Sequence, residues 1–138
     1  MYKIYLCGGI QYVDNEESTT WRNYAKSKLY ANVFNCLDPM RRNFRSNELE
    51  SRNEIIAFDK ADIINSDILL VNATKPSWGT AMEIMFGFIH HKIIIAWVGN
   101  KYEVSPWVKY HSTQTFKELD DAILYINNHF GDINNESY

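Results

Sequence analysis

Ser66-Asp67-Ile68-Leu69-Leu70-Val71-Asn72 and, after a short polar loop, Ser77-Trp78-Gly79-Thr80-Ala81-Met82-Glu83-Ile84 decide how this chain folds. The first run is apolar without alternation, the pattern of a strand covered on both faces. The second reads as a helix that opens on Gly79-Thr80. One carboxylate, Glu83, falls in or just after its first turn, between Met82 and Ile84. An acid in that setting faces water or a site. Thr80 and Glu83 also have the Thr-x-x-Glu spacing of a capping box, which accounts for the acid without any site. Against that stands position: in a sheet of parallel strands, ligands gather beyond the carboxyl ends.

The pattern outward from this unit repeats it. Ile4-Tyr5-Leu6-Cys7 reads as a first strand stopped by Gly8-Gly9, and Val33 to Leu37 as a second stopped by Asp38-Pro39. Lys92 to Val98 is a fourth apolar run, and Val108 to Ser112 reads as a short fifth strand after a loop from Gly99 to Trp107. Helical periodicity predicts helices over Thr20 to Tyr30, with Ser18 or Thr19 as cap, over Leu49 to Ile64, over Gly79 to His90, and over Lys117 to Phe130. Strands alternating with helices argue an α/β fold: a doubly wound parallel sheet of five strands with helices on both faces. Such a fold sets Gly8-Gly9, Asp38 to Arg45, Asn72 to Gly79 and Gly99 to Trp107 around one cleft.

At 138 residues a single domain is expected over 1–130, with 131–138 as a flexible tail. Hydrophobic residues make up 46% of the chain, enough to bury a core. A net charge of −3 leaves no global basic footprint for a nucleic acid polymer. No apolar run approaches the roughly 20 residues of a membrane helix, and no signal peptide is read at Met1. Cys7 and Cys36 each lie in an apolar strand-like run, so buried free thiols in a reducing cytoplasm are expected rather than a disulfide.

Several residues carry possible chemistry. Near a helix N-terminus the dipole favours an ionised Glu83, available as a nucleophile. Asp59 and Asp62 lie one turn apart on the preceding helix; either both are solvated or one turns toward the cleft. Two carboxylates without a metal-ligand cluster suit glycosidic chemistry, in which one attacks and the other moves a proton. The four histidines show no ligand spacing, and His90-His91 reads as a favourable charge at a helix end. Gly8-Gly9 lacks the rest of GxGxxG and the P-loop lysine, and reads as a point of close backbone approach to a sugar or phosphate. Arg41, Arg42 and Arg45 form either a solvated basic loop or an anion clamp. The third helix, with Met82, Ile84, Met85, Phe86, Phe88 and Ile89, has almost no polar face. Its second side is expected to meet another subunit in a homodimer or higher homo-oligomer.

Lys3-Ile4-Tyr5-Leu6-Cys7-Gly8-Gly9, Trp21-Arg22, Asp38-Pro39, Asp59 with Asp67, and Gly79-Thr80-Ala81-Met82-Glu83-Ile84 together resemble the nucleoside 2-deoxyribosyltransferase family. The resemblance spans about residues 3 to 98 and continues more weakly through Ser105 to Ser112. It implies a flavodoxin-like sheet and cleavage of the N-glycosidic bond of a 2′-deoxynucleoside, the sugar passing through a covalent glycosyl-enzyme to another base, with no cofactor. It implies Glu83 as nucleophile, Asp59 as the acid near the base, and Tyr5 as the hydrogen-bond donor that holds Glu83. Six residues before the nucleophile, where transferases of the family often carry aspartate, this chain has Ser77. In that respect it is similar to the related nucleoside 5′-monophosphate N-glycosidases, whose serine contacts the phosphate. The arginine those hydrolases often place after the first strand is absent from Gly8-Gly9-Ile10-Gln11. By the same resemblance, Ser105 to Ser112 reaches into a neighbour's active site. The expected substrate-side residues are Gly8, Gly9, Ile10, Asp38, Arg41, Arg42, Asn72, Ser77, Gly79, Trp107, His111 and Ser112. A silent nucleotide-sensing module shares most of these features. An electron carrier of flavodoxin type does not, because no Ser/Thr-rich loop follows the first strand.

Overall fold

The computed structural model describes residues 1–10, 13–42 and 51–131. Five strands, β1 (Tyr2–Gly8), β2 (Phe34–Leu37), β3 (Ile68–Asn72), β4 (Ile93–Trp97) and β5 (Gln114–Phe116), form one sheet in the order β2-β1-β3-β4-β5. All four pairings are parallel. The helices are α1 (Asn15–Lys28), α2 (Arg52–Asn65), α3 (Trp78–Ile89), α4 (Pro106–His111) and α5 (Leu119–Phe130), with a 3₁₀ turn at Pro39–Arg41. The order 2-1-3-4-5 is the flavodoxin-like one, so the expected fold class holds, and its switch point lies between β1 and β3.

Strand alternation sorts the core into two layers. Ile4 and Leu6 of β1 and Ile68 and Leu70 of β3 pack with Trp21, Ala25 and Leu29 of α1 and Ala122, Ile123 and Ile126 of α5. Tyr5, Cys7, Leu69 and Val71 point the other way, against Ile63 of α2 and Ile84 of α3. Each fully buried aliphatic side chain in these layers contributes about 2 kcal/mol of apolar burial. Gly87 lets α3 lie close on the sheet: a Cβ there would sit 2.7 Å from Leu69 Cδ2. Register aligns Gly8, Asn72 and Trp97 in one row, so the three central strands end level.

Two local expectations are corrected. The first helix starts at Asn15 rather than Thr20, because Asp14 caps it by accepting from the Glu16 N–H at 2.7 Å. Ser18 is instead an interior residue whose hydroxyl donates to the Asp14 carbonyl at 3.0 Å. Val108 to Ser112 is not the fifth strand. Ser105 accepts from Trp107 N–H at 3.2 Å with Pro106 at the first helical position, which starts α4, and the strand follows at Gln114–Phe116. Arg45, the expected helix start near Leu49, and residues 132–138 of the expected tail lie outside the described residues.

Candidate active site

A cleft of about 950 Å³ opens above the β1/β3 switch point, within the range of small-molecule sites. Its floor is the row of strand ends, Gly8, Gly9 and Asn72. One wall is α2 with the 3₁₀ turn, presenting Asp59, Ile55, Met40 and Arg42. The other is α3 with the loop before it, presenting Glu83, Ser77 and Lys75. Glu17 and Trp21 of α1 close the near side.

Glu83 stands here because of two alternations. Tyr5 points to the α3 side of the sheet, and α3 turns Ile84 and Gly87 inward while Glu83, beside them, borders the cleft. The Tyr5 hydroxyl donates to Glu83 Oε2. The capping box is absent: Ser77 caps α3, its Oγ accepting from Thr80 N–H at 3.4 Å and from the Thr80 hydroxyl at 3.1 Å. That puts Glu83 in the second turn, free of backbone capping. Burial in the cleft wall, then the Asp59 charge, pushes Glu83 up to about 8, while the Tyr5 hydrogen bond and Arg22 pull the other way. Burial likewise raises Asp59 to about 6 against the pull of Arg42. Tyr5, 1% exposed and facing Glu83, is raised well above its ordinary value, so its proton stays in place as a donor.

Two groups so disposed titrate as a pair. Between pH 6 and 8 the pair holds one proton. Glu83 is raised further than Asp59, so the shared proton rests mainly on Glu83, contrary to the ionised carboxylate expected from the helix dipole; passed to Asp59, it leaves an acid and a nucleophile facing one space. That division suits a reaction in which positive charge develops next to Glu83.

Arg22, which underlies the cleft, was named from the sequence only within a motif. It is fully buried, and its guanidinium donates to the carbonyls of Leu6 at 3.2 Å, Ser18 at 2.7 Å and Gly8 at 2.9 Å. It thereby clamps the end of β1 beneath the cleft. Its signal was an arginine among the inward positions of α1, with Ser18, Trp21 and Ala25. Gly8 serves the same packing: a Cβ there would meet Trp21 Cζ2 at 2.9 Å and Arg22 Nη2 at 3.3 Å. Glu17 and Lys75, paired across the cleft margin at 2.7 Å, were also not singled out.

The structure divides the remaining expected residues. Gly8, Gly9, Ile10, Arg42, Asn72, Ser77 and Gly79 line the cleft. Asp38 does not; it is 8% exposed, caps the 3₁₀ turn through Met40 N–H at 2.8 Å, and accepts from Lys26 at 2.7 Å. Arg41 turns away to Asp62, with Nη2 at 2.7 and 2.8 Å from the two carboxylate oxygens. Trp107, His111 and Ser112 sit on or just after α4, apart from this cleft. His111 stacks on Trp107 with ring planes 5° apart, and the Ser112 hydroxyl donates to the Val108 carbonyl at 2.6 Å. The loop from Gly99 to Trp107 is likewise off the cleft, because β4 lies one strand beyond the switch point. Cys7 is a buried free thiol raised by burial, and Cys36, half-buried and also free, is raised to about 11. Among the described residues no group of three or more His, Cys, Asp or Glu is arranged to hold a metal ion. Nor is any helix long and apolar enough to cross a membrane.

The sequence model of the nucleoside 2-deoxyribosyltransferase family matches residues 4–132. The chain belongs to that family. Among solved structures, a 2-deoxyribosyltransferase from Bacillus psychrosaccharolyticus superposes with a TM-score of 0.70 at 17% identity, over 88% of this chain and 90% of that one. A 2-deoxyribosyltransferase from Leishmania mexicana gives 0.69 at 15% identity, over 94% and 99%. A CMP N-glycosidase from Clostridium botulinum gives 0.63 at 13% identity, over 91% and 98%. At such identities these likenesses speak to the fold. Among curated proteins none matches the chain by sequence.

Proposed function

We propose that this protein breaks the N-glycosidic bond of a nucleoside or a nucleoside 5′-monophosphate, with Glu83 as nucleophile and Asp59 as acid. The observation that carries the reading is the convergence of Glu83, Tyr5 and Asp59 on one cleft at the switch point. A Glu83 oxygen forms a bond to C1′ as the C1′–N bond breaks and its electron pair leaves with the base. The Asp59 proton passes to the base, which departs poorly without it. Tyr5 holds the Glu83 rotamer and spreads its charge. In the second step an acceptor base or a water attacks C1′, gives its proton to the Asp59 carboxylate, and frees Glu83. No step requires a cofactor.

One observation favours a 5′-monophosphate. Ser77 lies against Gly9, its Oγ 3.5 Å from where a Gly9 Cβ would stand, and Lys75 lines the cleft two residues before it. A hydroxyl at that end, with an ammonium that would exchange its Glu17 partner for a phosphate, offers both a donor and a charge. The Clostridium botulinum neighbour, by its name, acts on such a nucleotide.

A homo-oligomer completes this reading. Met82 is 69% exposed at the edge of the cleft, and Trp107 and Tyr110 of α4 are 73% and 75% exposed. Large apolar side chains left in water, Met82 at the cleft and Trp107 and Tyr110 away from it, suit coverage by a second copy, with α4 reaching toward its neighbour's site. The substrate class and the free thiols fit a reducing cytoplasm.

Deoxynucleosides and their monophosphates, incubated with and without an acceptor base and separated by chromatography, test the proposal. Exchanged nucleoside identifies a transferase, and free sugar phosphate a nucleotide hydrolase. Glu83→Ala is expected to release no base while keeping its fold. Base release by that variant at the wild-type rate would remove Glu83 from the role.

A further inference from the structure

Arg42 carries a buried donor that makes no hydrogen bond among the described residues. Its Nη2 reaches both oxygens of Asp62, at 3.0 and 2.9 Å, and its guanidinium lies over the Phe58 ring, 4.6 Å from the centroid. The guanidinium is thus fixed on two sides. Its Nη1 is shielded from solvent and makes no hydrogen bond among the described residues. It points along the cleft wall to Asp59, whose Oδ1 is 4.0 Å away. That distance is close enough for charge attraction and too long for a hydrogen bond.

An unmade buried bond is unfavourable in the resting protein. It becomes useful if its acceptor grows stronger during the reaction, since only interactions stronger in the transition state accelerate chemistry. Asp59 is such an acceptor. As it gives up its proton its O–H bond breaks and the electron pair stays on the carboxylate; the proton joins the departing base.

We propose that Arg42 is a positioning residue that receives the Asp59 carboxylate as the proton leaves, its Nη1–H closing from 4.0 Å to hydrogen-bond length on Oδ1. The inference rests on the reading of Asp59 as the acid. Asp62 holds the guanidinium in place for this task, and Arg41, bound to the same carboxylate, keeps Asp62 paired when Arg42 is changed. Among the described residues, the other charged groups acting on Asp59 are Glu83 of α3, Arg22 of α1, Arg41 of the 3₁₀ turn and Asp62 on its own helix.

Two readouts on Arg42→Gln and Arg42→Lys test it. The first is kcat/KM on two substrates that differ in leaving group: one with an ordinary base, one with a base that departs without protonation. Arg42→Gln is expected to lower the ordinary reaction about 30-fold and the activated one less than about 3-fold. Arg42→Lys, which keeps the charge and loses the fixed fork, is expected to fall between wild type and Arg42→Gln on the ordinary substrate. The second is the Asp59 titration midpoint, followed by carbon NMR on protein labelled in its aspartate carboxyls. It is expected to rise by about one unit in Arg42→Gln. Equal losses on both substrates, or an unmoved midpoint, would overturn the role of Arg42 with the N-glycosidase reading intact. A wild-type chain that cleaves neither substrate would instead overturn that reading, and the midpoint would still report whether Arg42 governs Asp59.

Discussion

Asp59 and Asp62 stand one turn apart on α2, and the fold treats them in opposite ways. Asp62 is 6% exposed and accepts from both Arg41 and Arg42 through both its oxygens. Asp59 borders the cleft, opposite Glu83, with its nearest cation among the described residues 4.0 Å off. Pairing makes Asp62 a strut that ties α2 to the 3₁₀ turn. Burial, with no hydrogen bond to Asp59 among the described residues, raises it to about 6, so it can take up the proton it shares with Glu83. Residue type and helical position are the same; the difference lies in what each carboxylate is given to bind.

Exchange of each acid for its amide breaks the comparison most directly. Asp59→Asn is expected to lower kcat/KM about 1,000-fold for ordinary bases, with little change in thermal stability, measured by base release and by melting. Asp62→Asn is expected to do the reverse. It leaves two arginines without their carboxylate, lowering stability by about 2 kcal/mol in denaturant titrations, with a loss of activity about tenfold or less through Arg42. A larger activity loss in Asp62→Asn than in Asp59→Asn would reverse the roles.

The next effect is in pH. The proposed reaction needs one proton on the Asp59–Glu83 pair. The profile of kcat/KM is therefore expected to be a bell, rising near pH 6 and falling near pH 8. A flat profile across that window would contradict the shared proton.

The smallest effect is on stability. Glu83 has its folded value raised from 4.5 to about 8, so ionisation allowed in the unfolded chain is resisted in the fold. Stability is lost as pH climbs between those values and is constant above the upper one. Glu83→Gln is expected to match wild type at pH 4 and to be the more stable of the two at pH 8, read from denaturant midpoints.

The sheet was legible because β3 and β4 are continuous apolar runs, and Gly8-Gly9 and Asp38-Pro39 mark strand ends. The strand misplaced at Val108 shows the limit. Val108 and Tyr110 favour strands, but Ser105-Pro106 is a helix start, and the cap decided. Glu83 was visible as an acid in an apolar helix, yet its spacing from Thr80 fitted a capping box equally well. Only the placement of Ser77 as cap and of Tyr5 across the sheet separates the two. Arg41 and Arg42 are neighbours in sequence, and no local pattern tells which one borders the cleft. Arg22 was hidden because an inward arginine needs backbone carbonyls that sequence does not display, here those of Leu6, Gly8 and Ser18.

The central claim is a covalent bond between Glu83 and the sugar. Incubation with a nucleoside or nucleotide substrate whose 2′-fluorine slows turnover, followed by peptide mass spectrometry, measures it directly. The account predicts one added glycosyl unit on the peptide that carries Glu83, abolished in Glu83→Gln. Base release by the wild-type chain with no adduct at any time, or with an adduct on another residue, would contradict it.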